Sequence, residues 1–229
     1  MKFLVSDYDG TYKEDIKGKN IILNNKAIKN FLNKGNKFVI ATGRSYTSIK
    51  KEINKYNIPY NYLICNNGSV IFNDQDELIY KYPIPEEILI EALDVLSMSE
   101  KIKKIELFDT KGNIAQTNSE IVELLCQVSI KNIQEIKKIK NILNYLECIS
   151  FLNTFLLKTP SNKKDGIEII AKKEKINPND IYTIGNDIND LEMLKAYNGY
   201  KIIYSNPKLL LKNIKTITSV KSLVKKINK

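Results

Sequence analysis

Three short apolar runs each end in a cluster of polar, oxygen-bearing residues. Phe3–Ser6 leads into Asp7-Tyr8-Asp9-Gly10-Thr11, Lys37–Thr42 ends in Thr42-Gly43-Arg44, and Ile181–Ile184 leads into Gly185-Asn186-Asp187-Ile188-Asn189-Asp190. Asp7 and Asp9 are two positions apart, which in an extended segment sets both carboxylates on one side. Such a pair suits a hard cation such as Mg²⁺. It also suits a division of labour between a nucleophile and a proton carrier. The hydroxyl of Thr42, at a strand end, can hydrogen-bond a phosphoryl oxygen. Asn186, Asp187, Asn189 and Asp190 add oxygen donors in a strand-to-helix turn, where Asn or Asp also serves as a helix cap. Lys163-Lys164-Asp165-Gly166 opens a helix, and a lysine there can reach a crevice and offset phosphate charge.

Composition narrows the chemistry. The 229 residues include no histidine and no tryptophan, 35 lysines and a single arginine, Arg44. A chain without histidine runs no Ser-His-Asp or Cys-His relay and builds no zinc site from imidazole. Acid–base work falls to carboxylates, Lys, Tyr or Cys. Arg44 stands at one of the three strand ends, and its planar fork is the chain's one chance of bidentate recognition.

The net charge of +10 is uneven. Residues 1–80 carry 12 basic and 8 acidic groups, residues 81–155 carry 9 and 11, and residues 156–229 carry 15 and 7. Residues 201–229 hold eight lysines and no acid. No basic stripe is interleaved with aromatics, so lysine-rich composition accounts for the charge better than a nucleic-acid surface does. Cys65, Cys126 and Cys148 lack metal-ligand spacing and read as reduced thiols of a cytoplasmic protein. No apolar run approaches the roughly 18 residues of a membrane span.

Alternating strands and helices must hold these clusters. The spacing predicts strands at 3–6, 37–42, 62–65, 70–72 and 78–82, with helices over 25–33 and 45–56. Asn67-Gly68 reads as a hairpin signal. Pro83 and Pro85 open a different pattern. It comprises a helix at 86–97, strands at 104–108 and 114–117, helices at 120–126 and 133–143, and strands at 148–152 and 155–158. After Thr159-Pro160 the alternation returns, with helices at 164–173, 190–196 and 220–227 and strands at 181–184 and 200–204. The expectation is an α/β protein: an open parallel sheet flanked by helices, with residues 1–82 and 159–229 forming the core and 83–158 an inserted α+β unit. In such a sheet the carboxyl ends of the strands form the ligand crevice, so the three clusters should converge.

Taken together and in this order, the motifs resemble those of the haloacid dehalogenase superfamily, and more narrowly its Cof-type hydrolases. Asp7–Thr11 resembles the first motif, Ala41–Arg44 the second, Lys164 with Asp165-Gly166 the third, and Gly185–Met193 the fourth. Asn66-Asn67-Gly68 resembles the Asn-Gly turn that follows the third strand in this group. The resemblance implies a Rossmann-like three-layer core with a cap at 83–158. It implies a Mg²⁺-dependent phosphatase acting on a small phosphorylated metabolite through an aspartyl phosphate on Asp7, with Asp9 as proton carrier. It further implies Thr42, Gly43, Arg44, Asn67, Lys164 and Asn189 around the substrate, Thr42 and Lys164 also being catalytic. Asp7, Asp9, Asn186, Asp187 and Asp190 fall around the metal. One position departs from the family pattern: Asn186 stands where an aspartate is usual. The alternatives are a phosphomutase of the same fold and a catalytically weak binding or regulatory protein.

Overall fold

The computed structural model describes residues 1–14, 18–128, 133–150 and 152–228. The chain runs β1 (Phe3–Ser6), α1 (Ile21–Leu32), β2 (Lys37–Ala41), α2 (Tyr46–Tyr56), β3 (Tyr62–Cys65), β4 (Val70–Asn73) and β5 (Leu78–Lys81). It continues with α3 (Glu86–Ser97), β6 (Ile102–Asp109), β7 (Ile114–Ala115), β8 (Ile121–Val128), α4 (Ile133–Ile142), β9 (Glu147–Ser150) and β10 (Thr154–Lys158). The last third is α5 (Lys163–Glu174), β11 (Ile181–Gly185), α6 (Leu191–Ala196), β12 (Asn198–Ile202), α7 (Pro207–Leu210), β13 (Lys215–Ile217) and α8 (Val220–Ile227).

Two compact units result: Met1–Tyr80 with Asn162–Lys229, and Lys81–Ser161. The first is built on one sheet in the order β13-β12-β11-β1-β2-β3-β4-β5. Pairing is parallel from β13 to β3 and antiparallel between β3 and β4. β1, β2 and β3 are buried along their whole apolar length, as parallel strands covered on both faces must be. Phe3, Val5, Val39, Ala41, Ile64, Ile167, Ile170 and Met193 form the core on one face. β1 lies between β2 and β11, so chain order reverses there. That switch point is where an open α/β sheet gathers its ligand site.

The second unit has a five-stranded sheet, β7-β6-β8-β10-β9, antiparallel throughout. Leu89, Ala92 and Leu96 of α3 and Ile136 and Ile139 of α4 pack on it with Leu124, Cys126 and Phe155.

One element differs from the sequence reading. Residues 120–126 read as helix, yet Ile121–Val128 is β8. Ile121, Leu124, Leu125 and Val128 are spaced i, i+3, i+4, i+7, which mimics a helix face. The strand is central, paired with β6 on one side and β10 on the other. Nearly all its residues are buried, so the two-residue alternation that marks a half-exposed strand is absent. Of the strand expected at 148–152, residues 148–150 lie in β9 and Leu152 does not lie in a strand; Phe151 lies outside the described residues. α7 and β13 were not read from sequence; each is four residues or fewer, too short for a periodic signal.

Candidate active site

Asp7 follows β1 directly, and its backbone N–H donates to the Ile184 carbonyl of β11 at 2.9 Å. That bond ties the first and fourth motifs together at the switch point. The chain then folds back on itself, with Tyr12 N donating to the Asp7 carbonyl (3.2 Å) and Lys13 N to the Tyr8 carbonyl (2.9 Å). Gly10 has φ +76°, a left-handed conformation that favours glycine. A Cβ there would fall 2.3 Å from the Asn186 side-chain amide, so this turn needs glycine for space as well.

Three buried charged groups form the centre. Lys163 Nζ donates to Asp7 Oδ1 and to Asp190 Oδ1, each at 2.6 Å. Asp7 is 6% exposed, Asp190 is fully buried and Lys163 is 1% exposed. Burial works against the charge on Lys163. The carboxylates of Asp190 and Asp7 outweigh it and hold the ammonium protonated well above the ordinary lysine range. The second oxygen of Asp190 accepts from the backbone N–H groups of Asn186 (2.8 Å) and Asp187 (3.0 Å). Asp190 therefore both anchors Lys163 and shapes the fourth-motif turn.

The lysine at this centre is not the one the sequence reading chose. Lys164 Nζ pairs with Glu168 Oε1 one helical turn on (2.9 Å), on the outer side of α5. Helical phase decides the matter. Lys163 shares its face with Gly166, Ile167, Ile170 and Ala171, all buried, at spacings of 3, 4, 7 and 8 residues. That periodicity was present in the sequence and would have selected Lys163. Asn162 fixes where the helix starts: its side chain accepts from the N–H groups of Lys164 and Asp165, while Asp165 Oδ2 accepts from Asn162 N.

The remaining residues fall into three groups. Asp9 is half exposed and held by Arg44, whose Nε and Nη2 donate to Asp9 Oδ2 and Oδ1 at 2.7 Å each. The Arg44 guanidinium also lies 5.4 Å from the Tyr8 ring centroid. Thr42 is buried, and its Oγ1 accepts from Arg44 N (3.1 Å). Asn67 packs against Gly43 and accepts from Asn189 Nδ2 (3.2 Å). Asn186 turns inward: one end of its amide lies 3.0 Å from Asp7 Oδ2, 2.9 Å from the Asp9 carbonyl oxygen and 2.9 Å from Thr11 Oγ1. Asp187 turns outward. Its carboxylate caps the following turn through Ile188 N and takes a hydrogen bond from Asn206 Nδ2, both at 2.7 Å. Of the two adjacent fourth-motif residues, Asn186 therefore faces Asp7 and Asp187 does not. Thr11, which the sequence places in the first motif without a role, is also a site residue.

Among the described residues, no group of three or more Asp, Glu, Cys or His side chains gathers as a metal cluster. What converges instead is one carboxylate oxygen, one backbone carbonyl oxygen, the Thr11 hydroxyl and one end of the Asn186 amide.

The model of the haloacid dehalogenase-like hydrolase family matches residues 4–159 and 99–222. An uncharacterised protein of Mycoplasma capricolum is 31% identical over 116 residues; the match spans 49% of this chain but only 43% of that protein. A protein of Buchnera aphidicola, named as a phosphatase, is 27% identical over 218 residues, covering 82% of this chain and 80% of its own length. Among solved structures, a Bacteroides thetaiotaomicron protein from a study of phosphatases of this superfamily superposes with a TM-score of 0.83 at 19% identity, covering all of this chain and 94% of the other. A subclass IIB sugar phosphatase of the superfamily superposes with a TM-score of 0.73 at 18% identity, covering all of this chain and 98% of the other. The chain belongs to the haloacid dehalogenase-like hydrolases, of the Cof type.

Proposed function

We propose that the protein is a Mg²⁺-dependent phosphatase that hydrolyses a small phosphorylated metabolite, a sugar phosphate or similar monoester, with Asp7 as nucleophile. The observation that carries this reading is the Asp7–Lys163–Asp190 centre at the end of β1. A buried carboxylate held by a buried ammonium at a sheet switch point is arranged for charge chemistry. The phosphatase-named relative supports phosphoester hydrolysis, and the structurally similar sugar phosphatase supports the substrate class.

The donor chemistry suits Mg²⁺. The inward end of Asn186 lies 3.0 Å from Asp7 Oδ2 and 2.9 Å from the Asp9 carbonyl oxygen. Neighbouring oxygens in an octahedral Mg²⁺ shell, with bonds of about 2.1 Å, stand about 3 Å apart. Asp7, Asp9 through its carbonyl, and Asn186 would hold the ion. When bound, it would offset the negative charge of the phosphoryl oxygens.

The chain's own residues would carry the reaction. An Asp7 carboxylate oxygen attacks phosphorus, and the bond to the leaving oxygen breaks. Asp9 gives that oxygen a proton. Asp9 then takes a proton from a water that attacks the phosphorus, and the bond to Asp7 breaks to release phosphate. Arg44 positions the Asp9 carboxyl between these steps. Lys163 steadies charge on Asp7, while Thr42, the Gly43 backbone, Asn67 and Asn189 contact phosphoryl oxygens.

The test is turnover of an aryl phosphate with Mg²⁺ and with a chelator, in wild type and Asp7→Asn. We expect Mg²⁺-dependent release of inorganic phosphate that falls by about 10³-fold or more in Asp7→Asn. No phosphate release from the aryl ester or from a panel of sugar phosphates would overturn the reading. Phosphoryl transfer to a second sugar without phosphate release would identify a mutase instead.

A further inference from the structure

The position between Asp7, Asp9 and Thr11 is served by an amide whose two ends have opposite chemistry. With Nδ2 inward, Asn186 donates to Asp7 Oδ2 and to the Asp9 carbonyl, and Thr11 Oγ1 is also within reach. With Oδ1 in the same place, it accepts from the Thr11 hydroxyl and faces two further oxygens. The backbone beneath is fixed on both sides. Asn186 N donates to Asp190 Oδ2 (2.8 Å), and the Asn186 carbonyl accepts from Asn206 N (2.7 Å). Exchanging the ends is therefore a rotation of the terminal amide alone, a soft torsion with two roughly equivalent orientations. Asp187, the neighbouring carboxylate, is held away by Ile188 N and Asn206 Nδ2.

We propose that Asn186 is a two-way residue, a lock in the cation-free protein and a ligand in the cation-bound one. Nδ2 inward ties the nucleophile Asp7 to the loop that carries Asp9, so the site is satisfied without a cation. Oδ1 inward completes, with Asp7 Oδ2 and the Asp9 carbonyl, a three-oxygen face for a divalent cation. The proposal rests on the Mg²⁺ reading given above. It adds that the cation must displace an existing set of hydrogen bonds. It also adds that the neutral carbonyl oxygen attracts the cation less than a carboxylate would. The protein thus keeps an ordered site at low Mg²⁺ and binds the ion more weakly than its Asn186→Asp variant.

The experiment uses the full chain and Mg²⁺ alone, with no substrate. Calorimetric titration and thermal melting compare wild type with Asn186→Asp. We expect the variant to bind Mg²⁺ at least about tenfold more tightly, since ligand charge tunes such sites over decades. In chelator the variant should melt roughly 3 °C or more below wild type, because a second carboxylate then stands beside Asp7 in place of the amide donor. Saturating Mg²⁺ should close that gap. A second readout uses wild type itself. The Asn186 side-chain NH₂ pair, assigned by its loss in Asn186→Ala, should be protected from exchange without cation and shift and lose protection as Mg²⁺ is added. Equal Mg²⁺ affinity in the two proteins, an unmoved NH₂ pair at saturation, or Mg²⁺ binding by the variant only would each overturn the proposal. Failure of aryl phosphate turnover would sink the phosphatase reading without touching these titrations.

Discussion

Lys163 and Lys164 show how much one residue of helical phase decides. Removing Lys163 leaves Asp7 and Asp190 as buried carboxylates with no cation between them. Breaking such a pair from one side costs about 3–5 kcal/mol. We therefore expect Lys163→Met to lower stability by about that much in chemical denaturation and to abolish phosphate release. Lys164→Met, which loses only its partner on the next turn, should leave turnover within about twofold of wild type. Equal losses in both variants would refute the assignment. Arg44 is the second lesson at this scale. The lone arginine stood out in the sequence and reads there as a substrate contact, yet its fork is filled by Asp9. A lysine supplies a point charge instead of that fork. Arg44→Lys should lower kcat by about tenfold while Tm stays within about 2 °C.

At the scale of elements, the third motif reaches the site because two features fix the start of α5. The first is the Asn162–Asp165 capping box. Replacing an asparagine cap by alanine costs about 1 kcal/mol, so Asn162→Ala should lower Tm by about 2–4 °C and reduce turnover through Lys163. The second is Gly68, with φ +108°, whose missing Cβ leaves room for the Asn162 carbonyl; a Cβ would fall 2.1 Å from that oxygen. Backbone cannot yield as a flexible side chain does, so Gly68→Ala should destabilise more than Asn162→Ala, as a denaturant titration would measure. The Asn67-Gly68 turn was legible as a turn in the sequence. Its docking against α5 was not, because the partner lies about ninety residues further along the chain and no local pattern encodes that contact.

Across the whole molecule, the charge distribution separates structure from binding. Eight lysines fall in residues 201–229, but Lys201 is buried and donates to the carbonyls of Leu209 (3.2 Å) and Lys212 (3.1 Å). α8 buries Val220, Leu223, Val224 and Ile227, leaving its lysines on the other face. This is an amphipathic helix solvated by lysine. Binding to random duplex DNA at about 150 mM salt should be no tighter than ordinary non-specific contact, about 10⁻⁴ to 10⁻⁶ M; tighter, salt-sensitive binding would contradict that. The acid limb of stability has a specific source as well. Glu174, at the end of α5, pairs with Lys37 of β2 (2.5 Å) and accepts from the Tyr62 hydroxyl of β3. Burial pushes its carboxyl up, and the hydrogen bonds from Lys37 and Tyr62 overcome this and leave it below the usual glutamate range. A depressed folded-state value means its contribution is present above the unfolded value and is lost as pH falls through the folded one. Glu174→Gln should therefore flatten the fall in Tm between about pH 5 and pH 3. The sequence by itself determined the α/β alternation, the inserted unit and the three strand-end motifs, because strand and helix periodicity and turn chemistry are local properties of the chain. Only the tertiary structure decided that Lys163 meets Asp7, that Arg44 holds Asp9 and that Asn186 faces inward while Asp187 does not. Each of those is a contact between side chains distant in sequence, set by packing around the β1 switch point.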